Sequence, residues 1–460
     1  MVTPPTAYAT TAVTPPGNRP HSITVFGCTG NAGRAVAYYA IKSSATKKPQ
    51  NDNIHVALAG RNRTKVEKTL KDICDELRSE GIQTDDTKVK IVIADISDEQ
   101  SMLSLAKSTR VLVSCAGPYG QYGEAAVKAC VEGGTHYVDI TGEVPFIERM
   151  ISDYGQKAEE AGVALCPFSG YDCVPSELGM WLVGKTLEME NTNLGHLALN
   201  FRCIGGGFPR GTLATLLDGV EGKGPQRKEG DQRFYPKEYQ GTAKDALSIS
   251  NFLLPKYQMG QFAGPNFMSV INVPILCRAA PTLGFDSDLT ISDKSAFVAY
   301  PSLFNGYGLF QTQMYIATLL VGGIALAIPP LRWLLRNKLK VYSYNGDAAG
   351  KVYLDVKGLS SNNKSSAMAT CMFPGDAGIY ATGLFAASVA NALLEATSSD
   401  SKYPKPLAGF HSPVTALHGC RQGLLIDHLK DMGAEIKVEF VSEEGVAARE
   451  IDATKLQSKL

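Results

Sequence analysis

The stretch that decides the fold is Ser22-Ile-Thr-Val-Phe26 followed directly by Gly27-Cys-Thr-Gly-Asn-Ala-Gly33. The first five residues have the β-branched and aromatic character of a strand, and Arg34–Lys42 has helical character. A glycine turn between a strand and a helix presents backbone N–H groups and the positive end of the helix dipole to a phosphate. The spacing is GxxGxxG, which by itself is a weak signal for a dinucleotide site. The residues predicted to bind the cofactor in this loop are Gly27, Thr29, Gly30, Asn31 and Gly33.

The following segments strengthen this interpretation because strands and helices continue to alternate. Further strands are predicted at Ile54–Ala59, Lys90–Ala94, Arg110–Cys115, His136–Ile140 and Val163–Pro167. Such an alternation is typical of a doubly wound parallel sheet. The sequence therefore predicts an α/β fold with an N-terminal Rossmann dinucleotide-binding domain over residues 21–180.

The residues at the strand ends indicate which dinucleotide binds. An NAD site normally has an acidic residue after the second strand, whereas this chain has Arg61 and Arg63, which suit a 2′-phosphate. NADP(H) is therefore predicted over NAD(H), the alternative being two solvated arginines at a helix start. Asp95, after the third strand, is predicted to contact adenine or ribose. The turn predicted to lie near the nicotinamide consists of Ala116, Gly117 and Pro118.

Reduction by a nicotinamide cofactor also requires a proton donor near the reacting atoms. Polar residues in or after the predicted strand ends are the candidates, and from these we predict catalytic roles for Tyr119, His136 and Asp139. Tyr137, Glu143 and Asp172 lie in the same regions. The alternative for His136 and Asp139 is that they only cap turns. No metal-binding cluster is predicted.

In the second half of the chain, predicted strands and helices no longer alternate strictly. Strands are predicted at Leu194–Ile204, Val341–Tyr344 and Lys351–Val356, which favours an α+β substrate or dimerisation domain over residues 181–440 with a mainly antiparallel sheet. An apolar insert near residues 313–340 contains Tyr315–Ile328, fourteen residues without a charge. That length corresponds to about 21 Å of helix, which is short for a membrane span.

A basic amphipathic segment, Leu331–Lys340, follows this insert. An apolar helix next to such a segment suits contact with a lipid surface. A buried helix or a dimer contact is the alternative. Ile379–Ala396, which is rich in small apolar residues, is predicted to be a buried helix.

Four motifs of the first domain resemble the saccharopine dehydrogenase-like oxidoreductases, a family that includes the trans-acting enoyl reductases of lipid synthesis. They are Gly27–Gly33, Ala116-Gly-Pro-Tyr119, Thr135–Glu143 and Ser169–Glu177. The resemblance resumes at Gly205–Thr212, Phe373–Thr382 and Ser412–Phe440, and so covers about residues 22–440. It implies a Rossmann domain, a second domain that closes over the cofactor, and a homodimer. Cys173 stands where the family would have a serine.

The composition and the chain ends add further predictions. Lys+Arg and Asp+Glu are both 45, and this balance argues against a nucleic-acid partner. Residues 1–20, with five prolines, are predicted to be a disordered lead-in. Residues 441–460 are predicted to be a tail whose last residues, Ser458-Lys459-Leu460, match the tripeptide read by the peroxisomal import receptor. The sequence thus predicts a peroxisome-type microbody (a peroxisome or a glycosome), with a possible association with its membrane or a lipid surface.

Three hypotheses for function remain open at this point. The first is an NADP(H)-dependent oxidoreductase that reduces a lipid-linked or hydrophobic substrate. The second is a saccharopine reductase acting on an amino-acid imine, whose carboxylates would need cations such as Arg202, Arg210 and Arg278. The third is a non-catalytic nucleotide-binding scaffold at a lipid surface.

Overall fold

The computed structural model describes residues 19–46, 54–204, 213, 217, 220–222, 234–296, 306–338, 350–398, 400–417, 423–442 and 448–456. Within these residues the strands are β1 His21–Phe26, β2 Val56–Gly60, β3 Lys90–Ile93, β4 Thr109–Ser114, β5 His136–Asp139, β6 Ala164–Cys166, β7 Leu194–Ile204, β8 Lys256–Gln258, β9 Gln261–Pro265, β10 Thr290–Ala296, β11 Lys351–Ser360, β12 Ser366–Pro374, β13 Gly409–Phe410, β14 Glu435–Val441 and β15 Arg449–Ile451. The α-helices are α1 Asn31–Thr46, α2 Arg63–Ser79, α3 Glu99–Lys107, α4 Tyr119–Gly133, α5 Val144–Glu160, α6 Val174–Met189, α7 Gln240–Ala246, α8 Ile249–Phe252, α9 Ser269–Leu283, α10 Gly306–Ala327, α11 Pro329–Lys338, α12 Thr382–Ala396, α13 Pro413–Ala416 and α14 Gly423–Asp431.

The first sheet has the strand order β13-β6-β5-β4-β1-β2-β3 in the described part of the chain. All of its strand pairs are parallel, and helices connect them in alternation along the chain. The order reverses direction at β1, which lies between β2 and β4. The doubly wound parallel sheet predicted from the sequence is confirmed.

The last strand of this sheet comes from far along the chain. β13 pairs with β6 through Gly409 and Ala164, although residues 181–440 were predicted to form the second domain. The buried carboxylate of Glu177 holds the segment after β13 in place, because it accepts hydrogen bonds from Ser412 Oγ (2.6 Å) and Thr415 N (2.9 Å). The Rossmann sheet is therefore completed by residues outside its predicted range of 21–180.

The predicted lead-in, residues 1–20, lies outside the described residues except for its last two positions. Arg19 is buried, and its guanidinium donates to Thr109 O (2.7 Å), Thr135 Oγ1 (2.6 Å) and Gly133 O (2.7 Å). These bonds satisfy backbone carbonyls at the amino edge of the first sheet. The prediction of disorder is therefore wrong for Arg19, which belongs to the folded domain.

The second sheet has the order β15-β14-β12-β11-β7-β10-β9-β8. Its strands pair in antiparallel fashion except for β10 and β7, so the predicted mainly antiparallel sheet is confirmed. The long helix α6 packs against this sheet at Gly179, where an added Cβ would lie 2.6 Å from Val356 Cγ2. The predicted strand at 341–344 lies outside the described residues. The prediction that residues 441–460 are a tail is wrong for Arg449–Ile451, because this strand pairs with β14 at the edge of the sheet; residues 457–460 lie outside the described residues.

The apolar insert is longer than predicted. Helix α10 covers 22 residues, and at 1.5 Å per residue it is about 33 Å long, the length that crosses a membrane. In its stretch Leu309–Ala327 only 6% is buried. The prediction that this segment is too short for a span is therefore wrong, and the buried-helix alternative is excluded. In contrast, 89% of Ala377–Ala396 is buried, as predicted.

Candidate functional site

The glycine loop lies where the first sheet changes direction, and it is tightly packed. Gly27 has a φ of 81°, and an added Cβ would lie 3.0 Å from Ala116 N. At Gly33 an added Cβ would lie 2.3 Å from Gly27 O, so a larger residue would displace the backbone. Only glycine allows the strand exit and the helix to approach this closely.

The outer side of the loop is open. Thr29 and Gly30 are exposed, and Gly30 O accepts the first-turn N–H of Arg34 at 2.7 Å. Helix α1 begins at Asn31, so its N-terminal N–H groups and the positive end of its dipole lie at this position. The packing thus fits a dinucleotide whose pyrophosphate rests on Gly30 and Asn31, which stay predicted contacts together with Gly27, Thr29 and Gly33.

The two arginines after β2 lie at the same edge of the sheet as the glycine loop. Arg61 and Arg63 are exposed, and Arg63 has only a loose contact with Glu67 (3.7 Å) on its own helix. Asn62 between them caps α2 by accepting a hydrogen bond from Lys65 N (3.0 Å). The cap places both guanidinium groups at a helix N-terminus, which favours a 2′-phosphate there.

Asp95 follows β3, as predicted, but its carboxylate is engaged within its own turn. It accepts hydrogen bonds from Ser97 Oγ (2.6 Å) and Ser97 N (3.0 Å). The bond from the Ser97 hydroxyl is the main reason that the pKa of Asp95 is lowered, and the charge of Arg61 contributes. The predicted contact with adenine or ribose stays a prediction.

The turn after β4 lies beside the glycine loop. Gly117 is exposed and is joined to Pro118 by a cis peptide bond. The turn contacts the glycine loop, because an added Cβ at Gly27 would lie 3.0 Å from Ala116 N. The backbone N–H groups of Tyr119 and Gly120, which begin α4, donate to the carboxylate of Glu143 at 3.0 and 2.9 Å. The N-terminus of α4 is thus capped by the protein's own anion, whereas that of α1 faces the open loop.

Tyr119 is a connecting residue in this structure. It is 6% exposed; its hydroxyl donates to Ser114 O (2.8 Å) and accepts from Ile140 N (3.4 Å). Burial raises the pKa of Tyr119 well above its ordinary value. The phenol therefore joins the exits of β4 and β5, and its predicted catalytic role would require it to release the Ser114 carbonyl.

His136 lies at the wrong edge for the predicted catalytic role. It is the first residue of β5, whereas ligands of parallel sheets bind at the carboxyl ends of the strands. Its Nδ1 accepts a hydrogen bond from Ala164 N (3.0 Å), and burial lowers the pKa of the imidazole to about 4. His136 begins this strand, three residues before Asp139 at the cofactor edge, so the prediction that His136 lies in the site is wrong.

Asp139 lies at the expected edge, at the carboxyl end of β5. It is completely buried and accepts hydrogen bonds from Tyr137 OH (2.8 Å), Thr141 N (3.0 Å) and Phe168 N (3.1 Å). Burial raises the pKa of Asp139 to about 7. The structure thus brings Asp139 and Tyr119 together, and the hydrogen bonds of Asp139 join the ends of β5 and β6.

The two sheets meet beside this edge, at a junction that we call the cleft. The Tyr171 hydroxyl, in the loop after β6, is 3.2 Å from the thiol of Cys203 on β7. Asp172 follows Tyr171 and is partly exposed, and Tyr315 of α10 is close enough to Cys203 for an electrostatic interaction. We call these four residues the cleft residues. Of them the sequence suggested only Asp172, from its position after the sixth strand, because pairing across two sheets leaves no local signal.

Comparisons with known proteins agree with this geometry. Residues 23–166 match the model of the family described as the saccharopine dehydrogenase NADP binding domain. A saccharopine dehydrogenase-like oxidoreductase from Rattus norvegicus is 34% identical over 211 residues, which are 46% of this chain and 48% of the relative. A lipid droplet localized protein from Caenorhabditis elegans is 32% identical over 206 residues, 44% of this chain and 45% of the relative. The chain thus spans about half the length of the curated relatives it matches.

Among solved structures, the apo saccharopine dehydrogenase (L-Glu forming) from Saccharomyces cerevisiae matches 92% of this chain and 100% of its own, with 12% identity and a TM-score of 0.47. The assignment of the first domain depends on its sheet order, its glycine loop and the family match. The match of residues 23–166 to the saccharopine dehydrogenase NADP binding domain confirms the resemblance to the saccharopine dehydrogenase-like oxidoreductases and the preference for NADP(H) predicted from the sequence.

Proposed function

We propose that the protein is an NADP(H)-dependent oxidoreductase that reduces a lipid-linked or hydrophobic substrate at a lipid surface. The observation that carries this proposal is the exposed apolar helix α10, which adjoins the cleft beside the cofactor edge. A soluble enzyme for a small polar substrate gains nothing from such a helix, since exposed apolar surface costs free energy in water.

The exposed apolar side chains of α10 and the residue after it lie along one face of the helix, since at 3.6 residues per turn they fall within an arc of roughly 120°. Their exposed fractions are 57% for Phe310, 54% for Met314, 51% for Leu320, 67% for Val321, 61% for Ile324 and 41% for Ile328. An exposed apolar face of this length, on a helix without a charged residue, suits contact with a lipid surface. Helix α10 packs on β9 and on α11.

Helix α11 extends this surface with a different character. Trp333 and Leu334 are 61% and 47% exposed, and Arg332 and Arg336 provide positive charge, with Arg336 paired to Glu221 at 3.0 Å. Amphipathic helices with aromatic and basic residues bind at the boundary between lipid headgroups and acyl chains. The name of the C. elegans relative, a lipid droplet localized protein, supports a lipid surface for this chain too.

The second hypothesis, a saccharopine reductase, has less support from the described cations. Arg202 is 2.8 Å from Asp355, and Arg278 donates to Phe234 O and Phe410 O, both at 2.7 Å. These bonds engage both guanidinium groups with the protein itself. Arg210 lies outside the described residues.

The predicted targeting signal and the predicted homodimer are part of this proposal. Ser458-Lys459-Leu460 would bind the peroxisomal import receptor and direct the protein to a peroxisome-type microbody, although the tripeptide lies outside the described residues. We also propose a homodimer, as the family resemblance implies. The targeting signal is tested by comparing the cellular location of a fluorescently tagged protein that has a free C-terminus with that of a form lacking Ser458-Lys459-Leu460.

The experiment that tests the proposed activity measures consumption of NADPH by the purified protein. One reaction contains phosphatidylcholine vesicles carrying a long-chain α,β-unsaturated acyl thioester, and the other contains glutamate with an amino-acid semialdehyde. We expect consumption with the vesicles only. Consumption only with the amino acids would support the saccharopine reductase, and binding without turnover of either would support the scaffold.

A further inference from the structure

The carboxyl groups around the cofactor edge differ in how fully they are used. The carboxylates of Asp139 and Asp293 each accept three hydrogen bonds, and the carboxylate of Glu177 accepts four. Asp172 makes no hydrogen bond and no ion pair with the described residues. Loss of solvent around its carboxyl group is what raises the pKa of Asp172. Asp172 is partly exposed and has no such partner, so its carboxyl group is free to give a proton to a bound ligand or to accept a hydrogen bond from it.

The position of Asp172 is nevertheless rigid, because the residues before it are held on three sides. Ser169 N donates to Asp139 O (2.8 Å), Tyr171 N donates to Thr382 Oγ1 (3.3 Å), and the Tyr171 hydroxyl contacts Cys203 Sγ (3.2 Å). Asp172 itself is partly exposed, so its carboxyl group is accessible from the cleft. The fold therefore holds an accessible, unbonded acid in a fixed place.

That place is the part of the sheet edge where a nicotinamide belongs. A dinucleotide lies across the point where the strand order reverses, here between β1 and β4, with one half on each side. Arg61 and Arg63 occupy the β2 side, which assigns the adenosine half to it. The nicotinamide half is then left for the side of β4, β5 and β6, where the loop containing Asp172 leaves the sheet.

From these observations we propose that Asp172 is the proton donor of the reduction, a role that rests on the proposed function. NADPH held by the glycine loop, Arg61 and Arg63 would supply a hydride to the electron-poor carbon of a polarised double bond and leave as NADP⁺. The Asp172 carboxylic acid gives its proton to the atom that receives the displaced electron pair. One C–H bond and one bond to hydrogen on the neighbouring atom form, and the resulting carboxylate regains a proton from water.

The surroundings of Asp172 suit this task. Burial raises its pKa to about 7, so a fraction of the acid is protonated at neutral pH. The groups that interact with it are neutral at that pH: Tyr171 and Cys173 in its own segment and Cys203 on β7, each with a raised pKa. A positively charged nicotinamide beside Asp172 would favour its carboxylate form.

Proton release on binding of NADP⁺ tests the proposal without a substrate. Calorimetry in buffers of different ionisation enthalpy measures the protons released, and we expect about half a proton at pH 7 for the wild type. Asp172→Asn should release none from this site, while Asp172→Glu should restore release. Asp245→Asn, an exposed carboxylate on α7, is the matched control and should match the wild type.

The outcomes separate the two proposals. Equal proton release by the wild type and a folded Asp172→Asn variant, with NADP⁺ bound by both, would overturn the role of Asp172 and leave the proposed function standing. Absence of NADP(H) binding by the wild type would overturn both. If Asp172→Asn does not fold, the wild type alone still tests the proposal: release of as many protons at pH 9 as at pH 7 would contradict an acid that titrates near pH 7 at this position.

Discussion

Two helices of this protein are long and apolar enough to cross a membrane, yet they have opposite environments in the described structure. Ala377–Ala396, which contains α12, is 89% buried, and Leu309–Ala327 of α10 is 6% buried. The difference lies in what the small residues contact. Gly383 of α12 lies against the backbone of α1, whereas Gly322 and Gly323 of α10 have no atom within 4 Å of an added Cβ. Apolar composition makes a helix insoluble in water, and only close packing decides whether protein or lipid covers it.

The largest expected effect concerns stability. At Gly383 an added Cβ would lie 2.6 Å from the Ala35 carbonyl carbon, so Gly383→Ala forces α12 away from α1 and should destabilise the protein by about 2–3 kcal/mol. The matched change Gly322→Ala should be neutral or stabilise α10 by up to about 1 kcal/mol, since it meets no atom. Chemical unfolding measures both. Equal effects of the two changes would contradict the comparison.

The next effect concerns lipid binding. Val321→Glu and Ile324→Glu together place two charges on exposed positions of α10 and should reduce flotation with phosphatidylcholine vesicles by more than tenfold. Unfolding and NADPH binding should not change, because both side chains point away from the protein. The control is the exposed polar change Gln100→Glu on α3. If vesicle binding persists in the double variant, the lipid-facing role of α10 is wrong.

A smaller effect is expected on cofactor affinity, which depends on the cofactor edge and on neither of the two helices. Arg61→Ala with Arg63→Ala should weaken NADPH binding by about tenfold and leave NADH binding unchanged, since only NADPH carries the 2′-phosphate. Titration followed by cofactor fluorescence measures both affinities. Lys65→Ala, an exposed cation on the same helix, is the control. An equal loss for NADH would show that the arginines act on the fold rather than on the phosphate.

The smallest effect is a pH dependence in the core beneath α12, where β5 packs. Burial lowers the pKa of His136 from 6.5 to about 4, so the unfolded state binds more protons than the folded state between these values. Stability should therefore fall as the pH decreases from about 6.5 to 4, and His136→Gln should make this fall less steep. Urea unfolding at several pH values checks it; an unchanged slope in the variant would contradict the buried, neutral imidazole.

Local patterns allowed much of the first domain to be predicted. The strands of the first sheet up to β6 follow short apolar runs, and the glycine loop between β1 and α1 follows from the residue types that such a turn requires. Leu194–Ile204 was likewise predicted with its bounds as the structure has them. Tyr119 and Asp139 were predicted at the correct edge because each follows or ends a parallel strand.

The errors arise where position within an element matters. His136 begins β5 instead of ending it, so the same strand that brings Asp139 to the cofactor edge carries His136 to the opposite edge. The apolar insert was underestimated because the helix extends through Gly306–Tyr315, which is less uniformly apolar than the segment after it. Neither error is visible in composition alone.

By itself the sequence determined a doubly wound NADP-binding domain, a mainly antiparallel partner sheet and two apolar helices, because strand periodicity, glycine turns and apolar runs are local properties. Only the tertiary structure decided that β13 returns to the first sheet, that Glu143 caps α4, and that Asp172 is held beside the carboxyl edge of this sheet without a hydrogen-bond partner among the described residues. These features join residues far apart in the chain. They depend on which surfaces meet, and that is settled when the whole chain packs.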